Sequence, residues 1–114
     1  MPTKLATTIA KIGTISNPTN AAIVQEFSDY LKNKVCSESH HNNSLKAAIA
    51  FARHLGPRVT FYDVERKEQL LAYLDTKIKS PEIDPDKRWI TTWNDQLRRV
   101  KMLYRWLFNE RGRA

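Results

Sequence analysis

The fold is decided by the stretch 93-WNDQLRRVKMLYRWL-107, in which apolar residues recur at three- and four-residue spacing. On a helical wheel, one side of the helix that contains this stretch is apolar and predicted to lie in the core; its members are Ile90, Trp93, Leu97, Val100, Tyr104 and Leu107. The adjoining side is a polar strip of Thr91, Asn94, Arg98, Lys101 and Arg105, with Thr92 and Arg99 on the opposite flank. The sequence therefore predicts a helix that packs on one side and carries cations on the other.

The same spacing predicts three further helices before this one. Their expected bounds are about 19–34, 38 or 39–55 and 64–78, and the fourth helix is expected at about 88–110. Asp63 is expected to cap the third helix, and Gly56 and Gly112 are expected to mark the ends of the second and the fourth. Four helices without a credible strand predict an all-α fold, a bundle in which each helix buries one apolar face.

The chain is expected to form one domain with short extensions. A length of 114 residues, with 41% apolar and 27% charged residues, is typical of a single folded domain. Residues 1–17 contain Thr and Ile but no helical stripe, so we expect a flexible or weakly extended N-terminal arm. The domain is expected to span 18–112, and residues 113–114 would begin a linker.

Cysteine usage and hydropathy favour an intracellular protein. The lone Cys36 excludes an intramolecular disulfide and makes a thiolate zinc site improbable. No apolar run reaches the roughly 20 residues that a membrane span needs, and the N-terminus lacks the apolar segment of a signal peptide. We therefore expect a cytoplasmic protein.

The positive charge is concentrated at one end of the chain. Residues 1–86 hold eleven Lys/Arg against ten Asp/Glu, a net of +1, whereas residues 87–114 hold eight against two, a net of +6. Such a localised basic field favours a polyanion or an anionic surface as partner, although solubility alone is the simpler explanation. The scarcity of acids on the fourth helix favours a partner, because a solvated helix commonly interleaves Glu with Lys.

The second predicted helix repeats this arrangement. Its polar side gathers Ser39, Asn42, Asn43, Lys46, Arg53 and His54, with the small Ala50 among them. Asn and Arg can contact adenine and guanine edges, and Ser, Lys and Arg can hold phosphate. Asn and Ser also mark an ordinary helix N-terminus, so the composition of this strip is weak evidence by itself.

Catalytic and metal chemistry are disfavoured. The pair His40-His41 lacks a third ligand at metal spacing, and no Ser/His/Asp, Cys/His, paired-carboxylate or Gly-rich phosphate pattern is present. We expect neither a metal nor a cofactor. Trp106 falls towards the polar side of its helix, where it would be anchored by a terminal segment or would face another domain.

The stretch 92-TWNDQLRRVKMLYRWL-107 resembles the closing helix of the core-binding, SAM-like N-terminal domain of phage integrases and other tyrosine recombinases. The shared pattern, T-x-N-x-x-L-x-x-x-K/R-x-L/F-Y-R-W-L, is met by Thr92, Asn94, Leu97, Lys101, Leu103, Tyr104, Arg105, Trp106 and Leu107. The segment 27–56 is similar to the family's opening helix pair and 61–75 to its third helix. The resemblance covers about 18–112 and is closest to integrases of archaeal type. One departure is His40, which stands where a Thr often opens the second helix.

The resemblance implies a four-helix orthogonal bundle that covers one side of a duplex DNA site, with its second and fourth helices towards the major groove. The catalytic domain of the same parent chain would cover the other side, and neighbouring recombinase protomers are further potential partners. This chain would then be no enzyme itself. The residues expected to contact DNA are Ser39, Asn42, Asn43, Lys46, Arg53, Lys87, Arg88, Thr91, Asn94, Arg98, Arg99, Lys101 and Arg105.

Two alternatives come from other classes of protein. A SAM-like interaction module could use the basic fourth helix on an acidic partner or on a copy of itself. A basic amphipathic membrane helix is disfavoured because its Trp and Leu residues are needed in the core. Salt-dependent binding to arbitrary duplex DNA separates the DNA-binding hypothesis from the protein-interaction hypothesis.

Overall fold

The computed structural model describes residues 5–34, 37–64 and 66–110, apart from the side chain of Glu110. Within these ranges there is no strand, and the fold is all-α as predicted. The α-helices are α1 (Leu5–Ala10), α2 (Pro18–Asn33), α3 (Glu38–Leu55), α4 (Lys67–Asp75) and α5 (Trp89–Arg105). Two 3-10 turns, Lys11–Thr14 and Phe61–Asp63, and a π-helical turn, Trp106–Glu110, complete the structure.

The ends of α2 and α3 follow local chemistry. Asn17 caps α2 by accepting a hydrogen bond from the Asn20 N–H at 3.0 Å, and Pro18 occupies the first helical position. The Ser37 hydroxyl accepts the His40 N–H at 3.0 Å at the start of α3. Gly56 ends α3 with φ 78°, a left-handed conformation that glycine adopts without steric cost. These caps explain why the predicted bounds of both helices agree with the structure.

The start of α4 differs from the prediction. Asp63 does not cap α4; its carboxylate accepts the Thr60 N–H at 2.9 Å and closes the preceding 3-10 turn. The Gln69 side chain instead accepts the Arg66 N–H at 3.0 Å. As a result α4 is shorter than the expected 64–78. At the start of α5, Asp84 accepts the Trp89 N–H at 2.8 Å and anchors the proline-containing loop.

The core is centred on α3, which packs against α1, α2 and α5. Its largest fully buried side chains include Phe27, Leu45, Phe51, Phe61 and Leu103. The predicted apolar side of α5 is only partly enclosed: Val100 and Leu107 are fully buried, whereas Trp93 and Leu97 are half-buried and Ile90 is 42% exposed. None of the described helices is long and apolar enough to cross a membrane.

The expectation of a flexible N-terminal arm is wrong for residues 5–17. Helix α1 packs against α3, and the buried Thr8 hydroxyl donates a hydrogen bond to the Asn42 side-chain oxygen. Ile12 and Ile15, just after α1, are buried in the core. A helix of six residues is marginal alone, so these tertiary contacts stabilise it rather than its own periodicity.

Trp106 is a core residue. It is 5% exposed, and its ring centroid lies 5.2 Å from that of Phe27 and 5.9 Å from that of Tyr30, both on α2. Helix α2 thus covers the flank of α5 on which Trp106 lies. Trp106 is therefore not available to another domain, which was one of the two alternatives that the wheel left open.

Candidate nucleic-acid interface

The α5 strip, defined as Thr91, Asn94, Arg98, Lys101 and Arg105, is exposed along its whole length. The part of the strip from Asn94 to Arg105 lines a shallow groove of about 340 Å³. The groove is lined by Asn94, Leu97, Arg98, Lys101, Met102 and Arg105. Thr91 joins Asn94 and Arg98 in the adjoining depression. The structure thus places this predicted set on one continuous surface, turned away from the buried Val100 and Leu103.

Asp95 borders the α5 strip. The Asp95 carboxylate accepts hydrogen bonds from Arg98 and Arg99, each at 2.9 Å. Burial raises the pKa of Asp95, but the hydrogen bonds and charges of Arg99 and Arg98 outweigh this effect and hold the pKa below its usual value. The Arg98 side chain stays 76% exposed, so this ion pair leaves it accessible to an outside anion.

Lys101 and Arg105 are the remaining cations of the α5 strip, and they have no anionic partner in the part of the chain that the structure describes. Among the described residues, no carboxylate lies within 4.0 Å of Lys101 or Arg105. Like charges on successive helical turns repel each other by a few tenths of a kcal/mol per pair. An anion lying along this side of α5 would relieve that repulsion.

Arg99 does not belong to the exposed surface, contrary to the prediction. Its side chain is 11% exposed, and its guanidinium donates to Asp95 and, at 2.8 Å, to the Ser44 hydroxyl on α3. Because its part-buried hydrogen bond to Ser44 joins two helices, Arg99 helps to hold α5 against α3. The wheel had placed Arg99 on the flank, which is the side that α3 covers.

The α3 strip consists of Ser39, Asn43, Lys46, Ala50 and Arg53. Ser39, Asn43 and Arg53 are exposed, while Lys46 and Ala50 are half-buried. Asn42, predicted to contact DNA, is 9% exposed. Its side-chain oxygen accepts the hydrogen bond from Thr8, so α1 covers it and removes it from the strip.

Lys11 is a surface cation that the sequence interpretation missed. It lies in a groove of about 320 Å³ between α3 and residues 5–15, which we call the N-terminal segment. The groove is lined by Thr8, Lys11, Lys46, Ile49, Ala50 and Arg53. This groove shares no lining residue with the one on α5. The three-residue spacing of Ile9 and Ile12 was the available indication that this segment packs against the domain.

Lys87 and Arg88 lie exposed just before α5. Lys87 has a left-handed backbone, with φ 55°. Arg88 is 3.9 Å from the Asp86 carboxylate, a pair so exposed that it adds little stability. Arg88 also shares a depression with Lys77 and Lys79 from the α4–α5 loop, at the N-terminal end of the α5 strip. Basic residues therefore extend beyond the strip at this end.

His41 and Tyr104 take structural roles. His41 is buried with its Nε2 3.2 Å from the Ser28 hydroxyl; burial first, and then the charge of His40, lowers its pKa, while Glu38 opposes this. Tyr104 donates its hydroxyl hydrogen to the Phe61 carbonyl at 2.9 Å, and burial raises its pKa. No three His, Cys, Asp or Glu side chains of the described segments converge in a way that could hold a metal ion.

No protein-family model, curated protein or solved structure matches this chain. Its function is therefore inferred from the exposed charges and their geometry.

Proposed function

We propose that this chain is a non-catalytic DNA-binding module that holds duplex DNA with the exposed strips of α3 and α5. The observation that carries the proposal is the α5 strip, where Arg98, Lys101 and Arg105 follow one another along an exposed face opposite the core. Asp95 is the one carboxylate that pairs with the strip among the described residues, and it engages Arg98 alone of the three.

The spacing of these cations suits a nucleic-acid backbone. At 1.5 Å rise per residue, steps of three and four residues separate them by about 5 Å along the axis. Duplex DNA presents one negative charge per roughly 1.7 Å of its axis, so each cation can find a phosphate without distortion of the helix. The major groove, about 12 Å wide, admits an α-helix. Thr91 and Asn94 add hydrogen-bonding groups on the same face.

Helix α3 supplies the second surface. Asn42 is buried and bonded to Thr8, so it is not available to DNA. The α3 residues that remain available are Ser39, Asn43, Lys46 and Arg53. Asn43 is the α3 residue suited to a bidentate contact with adenine, and the cations are suited to phosphate. Arg99 supports the interface indirectly, since it fixes α5 on α3 through Ser44.

The resemblance to the core-binding domain of tyrosine recombinases gives this module a context. If the chain follows this resemblance, its helices take the SAM-like orthogonal arrangement, and it forms one half of a clamp around a recombination site. The catalytic domain would belong to a longer parent chain, and neighbouring recombinase protomers would be further partners. The protein would then act in the cytoplasm, at the nucleoid. The chain alone is expected to cleave no DNA.

Binding of the purified chain to a random-sequence duplex at two salt concentrations tests the proposal. We expect a mobility shift at low salt that weakens steeply at higher salt, because phosphate contacts release counterions. Absence of a shift at low salt, together with salt-sensitive binding to an acidic protein, would contradict DNA binding and favour the protein-interaction alternative. A covalent protein–DNA adduct lost on Tyr62→Phe or Tyr104→Phe would contradict the non-catalytic assignment.

A further inference from the structure

The groove between the N-terminal segment and α3 gathers cations from two distant parts of the chain. Lys11 comes from the 3-10 turn that follows α1, whereas Lys46 and Arg53 lie two turns apart on α3. Three of the six lining residues are cations and none is an acid. This convergence depends on the tertiary fold, because Lys11 is remote from α3 in sequence.

The N-terminal segment is held in place on both sides of Lys11. On one side, Thr8 is 1% exposed and donates a hydrogen bond to Asn42. On the other, Ile12 is 6% exposed and belongs to the core. The backbone of Lys11 is therefore positioned beside α3 while its side chain remains exposed.

The cations of this groove have no counter-charge among the residues that the structure describes. No described carboxylate lies within 4.0 Å of Lys11, Lys46 or Arg53. The floor between them is formed by the buried Ile49 and the small, half-buried Ala50. The groove is thus open to a ligand, and its charge selects an anion.

We infer that this groove binds a phosphate of the DNA backbone, with Lys11 as a contact supplied by the N-terminal segment. Lys46 and Arg53 then hold the same backbone rather than read bases, since an arginine fork and an ammonium suit phosphate oxygens. This inference rests on the proposed function, because it assigns a particular contact within the same DNA complex. It makes the folded N-terminal segment a part of the interface.

The test compares Lys11→Ala with Lys32→Ala, a matched removal of an exposed lysine on α2 that lines neither groove. Binding to a fluorescent random-sequence duplex is measured by anisotropy across a salt series, and thermal melts check that both variants stay folded. Lys11→Ala is expected to lower the slope of log K against log salt by up to about one unit. Lys32→Ala is expected to leave the slope close to that of the parent chain.

The outcomes distinguish this inference from the proposed function. An unchanged slope for Lys11→Ala, with a lowered slope for Lys101→Ala, would overturn the groove assignment and leave DNA binding by α5 intact. Unchanged slopes for both would contradict the proposed function itself. A further arm measures the binding of inorganic phosphate to the chain in the absence of DNA. Phosphate binding that Lys11→Ala abolishes, together with an unchanged salt slope of that variant for the duplex, would mark a site for free phosphate and contradict the backbone assignment.

Discussion

Replacing Trp106 by alanine is expected to destabilise the domain by about 3–5 kcal/mol, the range for removing a large aromatic side chain from a core. The structure supports the upper part of this range. Trp106 is 5% exposed and packs on two aromatic rings, Phe27 and Tyr30, and such ring pairs contribute beyond their buried area. At about 4 °C per kcal/mol for a domain of this size, the melting temperature should fall by about 12–20 °C.

Thermal unfolding followed by far-UV circular dichroism measures this effect, with Trp93→Ala as the comparison. Trp93 is half-buried, and its indole N–H lies 3.5 Å from the Asp75 carboxylate, so its removal is expected to cost less. Trp106→Phe, which keeps a ring against α2, should lie between the parent chain and Trp106→Ala. If Trp106→Ala melted like the parent chain while Trp93→Ala did not, the placement of Trp106 in the core would be refuted.

Three further predictions concern the polar side chains of Asn42, Asp95 and His41. Asn42→Ala should lower the free energy of unfolding by about 1 kcal/mol in chemical denaturation, because it removes the hydrogen bond from Thr8. The folded variant should bind DNA with unchanged affinity. A loss of DNA affinity without a loss of stability would show that Asn42 contacts DNA. The pKa of Asp95 is lowered in the folded state, so Asp95 stabilises the fold at pH values above its ordinary pKa of 3.8, and this stability is lost as the pH falls through the lower folded pKa. Asp95→Asn should therefore flatten the pH dependence of stability in that acid range. An unaltered pH profile of the variant would contradict this assignment. The pKa of buried His41 is also lowered, so the unfolded chain takes up a proton first as the pH falls below 6.5, and the stability of the fold decreases. His41→Gln should remove this decrease in stability. A decrease that remains in the variant would show that another group titrates.

Local signals in the sequence were sufficient to predict α2 and α3. Capping residues and a regular apolar stripe agree in both helices, which begin at Pro18 and Glu38 beside Asn17 and Ser37. The α5 strip could also be predicted, because an exposed helical face is a property of one helix. The Asp63 carboxylate could have capped α4, as predicted, or closed the preceding 3-10 turn, and the sequence alone could not show that it accepts the Thr60 N–H of that turn.

The errors share a physical cause, since each depends on contacts between distant segments. Helix α1 is too short to be stable by itself and requires Thr8 and Ile12 to dock on α3. A wheel shows the side on which a residue lies, but not whether another helix covers that side. For this reason Arg99 and Asn42 were assigned to the DNA-contacting surface, and Trp106 to a contact with a terminal segment or another domain. Helices α3, α1 and α2 respectively cover these residues.

The central claim is that the cations of the α5 strip contact DNA phosphates, and the salt slope of binding tests it most directly. Lys101→Ala and Arg105→Ala are measured beside Lys32→Ala on one random-sequence duplex, with folding checked by thermal melts. Each strip variant is predicted to lower the slope of log K against log salt by up to about one unit, while Lys32→Ala leaves it unchanged. Folded strip variants whose slopes equal that of the parent chain would contradict the DNA-facing assignment of α5.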